Sequence, residues 1–331
     1  MLSSHRKYRS MKFRTEIEVA TWSHPIDYNH NIVSLGSCFA DNIARILARY
    51  KFRITASPTG ILFNPASIAE AMEAMLRREA VSHDELIEYE GRYLHHDFHS
   101  SLSGATAEEA VATMTRAREC GGDALRSADL LIVTLGTAWV YRLASNGAVV
   151  ANCHKQPTSK FRRELLSVGE IVEALRRILR AADCRVVFTL SPVRHAGEGL
   201  EDNSLSKALL RVAISEVCKE SEAASYFPAY EIVMDDLRDY RFYTDDLVHP
   251  SPAAIEYIAE KFFKAATTPL TQQRMQSVER VVRAAEHRPT NPRSEEFRKF
   301  CQRELEAIAK LSEIDFSEEK SYFEKMLQIN L

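Results

Sequence analysis

Short unbroken apolar runs that stop at a glycine or a polar cluster alternate along this chain with longer stretches in which apolar residues return every three or four positions. The first kind predicts buried strands and the second amphipathic helices. Ile32, Val33 and Leu35 make the first run, which ends at Gly36-Ser37, and Ile43, Ile46 and Leu47 then recur on one helical face. A loop marked by Pro58, Thr59, Gly60 and Pro65 leads to a second stripe, Ile68, Met72, Met75 and Leu76. Thr106 and Glu109 have capping-box spacing and open a helix predicted to end near Cys120-Gly121-Gly122. Residues 128–141, ADLLIVTLGTAWVY, read as the next buried strand, with its stop at Gly136-Thr137. A second capping box, Ser167 and Glu170, starts a helix with Ile171, Leu175, Ile178 and Leu179 on one face, and Val186, Val187, Phe188 and Leu190 form the strand after it. A helix over Leu205–Val217, a final strand, an aromatic-rich loop and a helix opened by Ser251-Pro252 complete the pattern.

Strands alternating with helices in this way predict an α/β fold around a parallel sheet. Beyond about residue 267 the strands stop. Val278, Val281, Val282 and Ala285 share one helical face, Phe297, Phe300, Cys301, Leu305 and Ile308 another, and a third short helix is expected around Phe323 to Leu327. The expected organisation is a disordered extension over residues 1–10, a core over 11–266 and a helical extension over 267–331. The extension suits packing on the core, capping a pocket, or pairing with a second copy in a homodimer.

Composition changes this picture little. Lys+Arg number 43 against Asp+Glu 46, so there is no basic footprint for nucleic acid, and no apolar run approaches membrane-spanning length. The six cysteines are scattered without a C-x-x-C pair, which fits a reducing compartment. The basic first residues lack the apolar core of a signal peptide, Met11 is an alternative start, and the expected location is cytoplasmic.

The candidate chemistry lies at the ends of the strands. Ser37 sits where a strand turns into a helix, beside N–H groups that have no intrahelical acceptor and favour negative charge. A helix N-cap is the competing reading of that serine. About two hundred residues on, Asp246 and His249 stand three apart, before Pro250. A serine needs a neutral imidazole to take its proton, and the imidazole needs an acceptor to hold its tautomer, which is what a D-x-x-H turn offers. Cys38 ranks second as nucleophile, in the first helical turn, where a thiolate is favoured. His95, His96, Asp97 and His99 crowd five positions, and strand alternation would place His95, Asp97 and His99 on one face. A metal there is the minority reading, pocket-lining histidines the main one. His154, in VVANCHKQP, and Arg194-His195, at the end of the Val186–Leu190 strand, are further substrate-binding candidates, since open α/β sheets bind ligands at carboxyl ends. A structural ion pair is the equal alternative for Arg194.

GSCFA at 36–40, with NPASI at 64–68, SPVRH at 191–195 and DLVHP at 246–250, resembles the GSCFA domain family, which is similar to the SGNH (GDSL-like) hydrolases. The resemblance implies a flavodoxin-like, three-layer α/β sandwich with a central parallel sheet, and a triad of Ser37, Asp246 and His249 without metal or cofactor. In those hydrolases a glycine N–H and an asparagine side chain complete the oxyanion hole. Gly60 is the candidate for the first, and Asn64 is an amide nearby that also suits an Asx turn before Pro65. The third block reads Gly136-Thr137-Ala138 instead of G-x-N, which leaves Thr137 or Asn64 to substitute. His99 is the favoured substrate contact, because similar GSCFA sequences carry a histidine-serine pair there. The expected activity is hydrolysis or transfer of an acyl ester of a small molecule or carbohydrate, with a non-catalytic ligand-binding cleft as the alternative.

Overall fold

The structure, a computed structural model, describes residues 14–328, so the extension expected over residues 1–10 lies outside the described residues. Five strands, β1 (Asn31–Gly36), β2 (Arg53–Ala56), β3 (Leu130–Leu135), β4 (Arg185–Leu190) and β5 (Ala224–Phe227), form one sheet in the order β2-β1-β3-β4-β5. Every pairing in it is parallel. This is the flavodoxin-like order, and it follows from the βα repeats, because parallel neighbours need a crossover helix between them.

Alternate side chains of the strands feed two cores. Ile32, Ile132 and Val187 face one side and pack with Phe39, Ile43 and Leu47 of α1 (Cys38–Arg49). Val33, Val133 and Phe188 face the other, against α2 (Pro65–Arg77), and Leu125 of α3 (Ala107–Arg126) joins them there. The same layer holds α4 (Val168–Ala181) and α5 (Leu200–Glu220). The first layer also takes α6 (Pro252–Ala266) through Ile258 and Phe262. The result is the expected three-layer sandwich.

After α6 come α7 (Pro269–Glu286), α8 (Glu295–Ala309) and α9 (Ser317–Gln328). These helices pack on the core: Val278, Val281, Phe297, Cys301 and Phe323 are buried in the same cluster as α1 and α6. Lys51 Nζ, just past α1, lies 2.6 Å from Glu319 of α9, and Arg49 pairs with Glu286 of α7.

Two elements depart from the periodicity. The α3 helix passes through Gly121-Gly122 to Arg126 instead of ending there. A Cβ on Gly121 would stand 2.2 Å from Met75 Sδ and one on Gly122 2.2 Å from the Met75 carbonyl oxygen, so the glycines let α3 lie close against α2. The apolar run after Gly136 leaves the main sheet: Trp139–Leu143 pairs antiparallel with Val149–Val150 and Phe161–Leu165 in a small second sheet. Among the described residues no helix is long and apolar enough to cross a membrane.

Candidate active site

The sheet order reverses between β1 and β3, the point at which open α/β sheets bind ligands. Gly36 ends β1 with φ +133°, and a Cβ there would meet the Thr134 carbonyl oxygen at 2.1 Å, so the turn is pressed against β3 as only glycine allows. Ser37 follows, its N–H donating to the Thr134 carbonyl at 3.1 Å, and heads α1 in an extended conformation. Its hydroxyl does not cap the helix. At the heads of α2, α3, α4, α6, α7 and α8 the side chains of Asn64, Thr106, Ser167, Ser251, Thr268 and Ser294 each accept an N–H from the first turn. Ser37 Oγ, by contrast, is buried without a hydrogen-bond partner.

The loop before α6 presents the imidazole. Tyr243 bridges to Pro250, the Thr244 N–H donates to the His249 carbonyl at 2.8 Å, and Leu247 takes φ +58° to close the turn between them. Asp246 Oδ1 accepts from the Thr244 hydroxyl at 2.7 Å and from the Val248 and His249 N–H groups at 2.9 and 3.0 Å. Its Oδ2 lies 2.7 Å from His249 Nδ1. The Thr244 hydroxyl first, then the His249 N–H and ring, and then the Val248 N–H hold this carboxyl well below the usual carboxylate range. An ionised Asp246 requires the proton on Nδ1, which leaves Nε2 as the basic nitrogen.

His249 opens onto a cleft of about 740 Å³ whose walls include Cys38, Asp41, Ile54, Gly60 and His99. Ser37 is only 1% exposed and does not line it. Burial and then the Asp41 carboxylate push the Cys38 thiol up from its ordinary value. The Gly60 N–H donates to the Ser57 carbonyl at 2.8 Å, and a Cβ on Gly60, at φ +86°, would stand 2.2 Å from His99 Cβ. His99 is held at the cleft wall by Ser101, whose Oγ lies 2.9 Å from His99 Nδ1.

The remaining sequence candidates are placed elsewhere. Asn64 is buried and engaged at the head of α2, where Oδ1 accepts from the Ser67 N–H and Nδ2 donates to Ser67 Oγ. Thr137 Oγ1 lies 3.1 Å from Ser206 Oγ and accepts from the Trp139 N–H. His154 Nε2 bonds the His95 carbonyl at 2.8 Å and stitches two loops together away from the cleft. The expected strand face of His95, Asp97 and His99 does not form: the strand ends at Leu94, and in the loop His95 Nδ1 turns back to accept the Asp97 N–H. Arg194 stacks its guanidinium over Tyr243 at 4.3 Å and Tyr240 at 5.3 Å, while its N–H donates to the Val248 carbonyl at 3.2 Å. It therefore braces the His249 loop and faces a separate cavity of about 370 Å³. His195 packs edge-on to Phe63 at 5.5 Å, and burial, then Lys207, then His249 push it down to about 4, so its ring is neutral at pH 7.

Sequence periodicity passed over three residues of α5. The helix begins at Leu200, and its first turns bury Asn203, Ser206 and Lys207. Asn203 Oδ1 accepts from the His195 N–H at 3.0 Å, Ser206 Oγ from the Ala138 N–H at 2.7 Å, and Lys207 Nζ donates to the Gly136 and Ser191 carbonyls at 2.6 and 2.7 Å. The signal was present: residues 203, 206 and 207 extend the stripe of Leu210, Ala213, Ile214 and Val217 toward the N-terminus, but as polar residues on a core-facing side.

A flavodoxin-order sheet with an Asp-His turn and an uncapped helix-heading serine near its switch point defines an α/β sandwich protein with a cleft at the carboxyl edge of the strands. The chain belongs to the GSCFA family, which matches residues 31–262, and the C-terminal domain of GSCFA domain proteins matches residues 278–329. Among solved structures it is similar to the Clostridium thermocellum family 3 carbohydrate esterase, with 10% identity and a TM-score of 0.36 over 76% of this chain and 98% of that one. That likeness is too slight to bear on activity. No curated protein matches the chain.

Proposed function

We propose that this protein is a serine-dependent acyl enzyme, an ester hydrolase or O-acyltransferase acting on an acyl ester of a small molecule or carbohydrate. Ser37 Oγ attacks the ester carbonyl, His249 Nε2 takes the hydroxyl proton, and Asp246 steadies the imidazolium that forms. Collapse of the tetrahedral intermediate breaks the bond to the leaving alcohol, which receives that proton, and leaves Ser37 acylated. Water or an acceptor hydroxyl then releases the acyl group, so hydrolysis and transfer share the first half-reaction. With Asn64, Thr137 and the Gly60 N–H engaged elsewhere, the leading N–H groups of α1 are the donors assigned to the oxyanion.

The observation that carries this reading is the Ser37 hydroxyl. Six other helix-heading side chains accept from their helices and this one does not, although it is buried. A buried polar group left unsatisfied costs about 1–3 kcal/mol, which a purely structural serine avoids by capping. Ser37 Oγ makes no hydrogen bond to His249 in this structure, and the reading requires the two to engage once an ester is bound.

One observation favours a second nucleophile: Cys38, not Ser37, lines the cleft with His249. Its raised thiol pKa weighs against it. Labelling with a fluorophosphonate, read by peptide mass spectrometry, and release of p-nitrophenol from short acyl esters test the proposal together. Label on Ser37 and turnover lost in Ser37→Ala and His249→Ala are expected. Turnover that survives Ser37→Ala but not Cys38→Ala moves the chemistry to the thiol, and neither label nor turnover leaves a ligand-binding cleft.

A further inference from the structure

The cleft that His249 opens onto extends well beyond the Ser37 turn. Asp41, Ala44, Arg45 and Ala48 stand at i, i+3, i+4 and i+7 on one face of α1, a single wall that leads away from the turn for about 15 Å between Cys38 and Ala48. The facing wall is β2, the edge strand of the sheet, where Ile54 and Ala56 project on the same side, and Ile61 of the following loop joins them. The polar members of the helical wall are already engaged. The Asp41 carboxylate accepts from the Ser57 hydroxyl at 2.7 Å, and the Arg45 guanidinium donates to Asn42 Oδ1 and, at 3.4 Å, to the Asp41 carbonyl. What this length of the cleft offers an occupant is therefore hydrocarbon: the exposed methyls of Ala48 and Ala56 and the half-buried side chains of Ile54 and Ile61. The cleft volume of about 740 Å³ lies in the range of sites that enclose a whole small molecule, far more than an acetyl group fills.

Resting on the acyl-transfer reading above, we propose that the groove between α1 and β2 takes the acyl chain of the substrate, and that this chain is a medium-length hydrocarbon instead of acetyl. The direction of the chain follows from the chemistry. The leaving alcohol receives its proton from His249 Nε2, so it stands on the His249 side of the ester carbonyl. The acyl chain, the other substituent of that carbon, points away from His249, and the α1–β2 groove is where the cleft continues. His249 is itself half-exposed, which leaves the alcohol a path to solvent. The acyl group stays bonded to Ser37 between the two half-reactions, and a chain lying against Ala48, Ile54, Ala56 and Ile61 holds it there while the alcohol leaves. Each methylene removed from water strengthens that hold about threefold to fourfold.

The test uses the full chain with p-nitrophenyl acetate, butyrate and octanoate, and with octyl acetate beside ethyl acetate to separate the acyl from the alcohol side. In the parent, kcat/KM is expected to rise along the acyl series, at least tenfold from acetate to octanoate. Ala48 is exposed, and a larger side chain there lies over the helical turn before it, so Ala48→Trp fills the groove beside Ala44 without entering the core. In that variant the octanoate-to-acetate ratio of kcat/KM is expected to fall at least tenfold. A flat acyl series in the parent, a ratio unmoved by Ala48→Trp, or a preference for octyl over ethyl acetate without an acyl preference overturns the proposal. Should Ala48→Trp fail to fold, Ala56→Trp on the facing strand is read in the same way. If the parent turns over no ester, it is the acyl-transfer reading that fails. Titration with 1-octanol then judges the groove alone: NMR shifts of the Ile54 and Ile61 methyls that Ala48→Trp abolishes support a chain site, and any other result overturns it.

Discussion

His249 Nδ1 stands 2.7 Å from Asp246 Oδ2, and the partner oxygen of that carboxylate is tied to the Thr244 hydroxyl and to the N–H groups of Val248 and His249. The carboxylate is thus fixed by its own turn before it orients the ring. Asp246→Asn keeps the size of the side chain but allows the wrong imidazole tautomer. On the acyl-transfer reading proposed above, kcat for p-nitrophenyl acetate is expected to fall by about 10⁴, as in Ser-His-Asp enzymes, with an unchanged circular dichroism spectrum. The carboxyl is depressed in the fold, so its contribution to stability is present above the ordinary Asp pKa of about 3.9 and is lost as pH falls through the lower, folded value. Acid unfolding followed with and without the substitution checks the sign: only the parent should lose this contribution below about pH 4.

Ser37 and Ser294 head helices in the same way, yet only Ser294 accepts an N–H from its helix, that of Phe297 at 3.1 Å. Ser294→Ala should therefore cost about 1 kcal/mol of stability in urea unfolding. Ser37→Ala loses no cap and removes an unsatisfied buried hydroxyl, so it should be neutral within about 0.5 kcal/mol or stabilising. A cost for Ser37→Ala equal to that of Ser294→Ala would return Ser37 to the role of an ordinary cap.

His195 is pushed down to about 4, so the unfolded chain binds a proton there that the folded protein refuses between that value and the ordinary histidine pKa of about 6.5. Stability gained from the neutral ring is present above pH 6.5 and lost as pH falls through about 4. Urea midpoints at pH 7, 5.5 and 4.5 should fall less steeply in His195→Gln than in the parent. Parallel slopes would show that the ring is not held neutral.

Phe323 of α9 is fully buried and meets Phe300 of α8 edge-on at 6.3 Å, inside the same core that α1 and α6 line. Phe323→Ala should cost about 3–5 kcal/mol and broaden or lower the thermal transition of the whole chain, because the extension and the sandwich share that core. A loss confined to a separate, low-temperature step would mark the helical extension as an independent unit.

Most of the sandwich could be read before any coordinates. Runs such as Ile32-Val33 or Val186-Val187-Phe188 lie between two helical layers and so are apolar on both faces, which sets them apart from the three-and-four spacing of their helices. The failures have local causes. Gly121-Gly122 read as a helix stop because propensity is blind to Met75, the neighbour that requires them. The run after Gly136 read as one strand because apolarity does not say which sheet a residue joins.

At the site the same division holds. Residue order along the chain determined which groups stand at strand ends, Ser37 after β1, Gly136 after β3, Ser191 after β4, since a βα repeat always places its turn at the carboxyl edge. It also determined the Asp246–His249 pair, whose geometry lies within one turn. That the Ser37 hydroxyl is left without a partner, that Thr137 is engaged with Ser206, and that Lys207 bonds the Gly136 and Ser191 carbonyls were decided by tertiary structure, whereas the Asn64 cap on Ser67 is local and was legible before Pro65. Those tertiary facts depend on contacts between residues up to 71 positions apart, as with Lys207 and Gly136, and no local pattern encodes such distances.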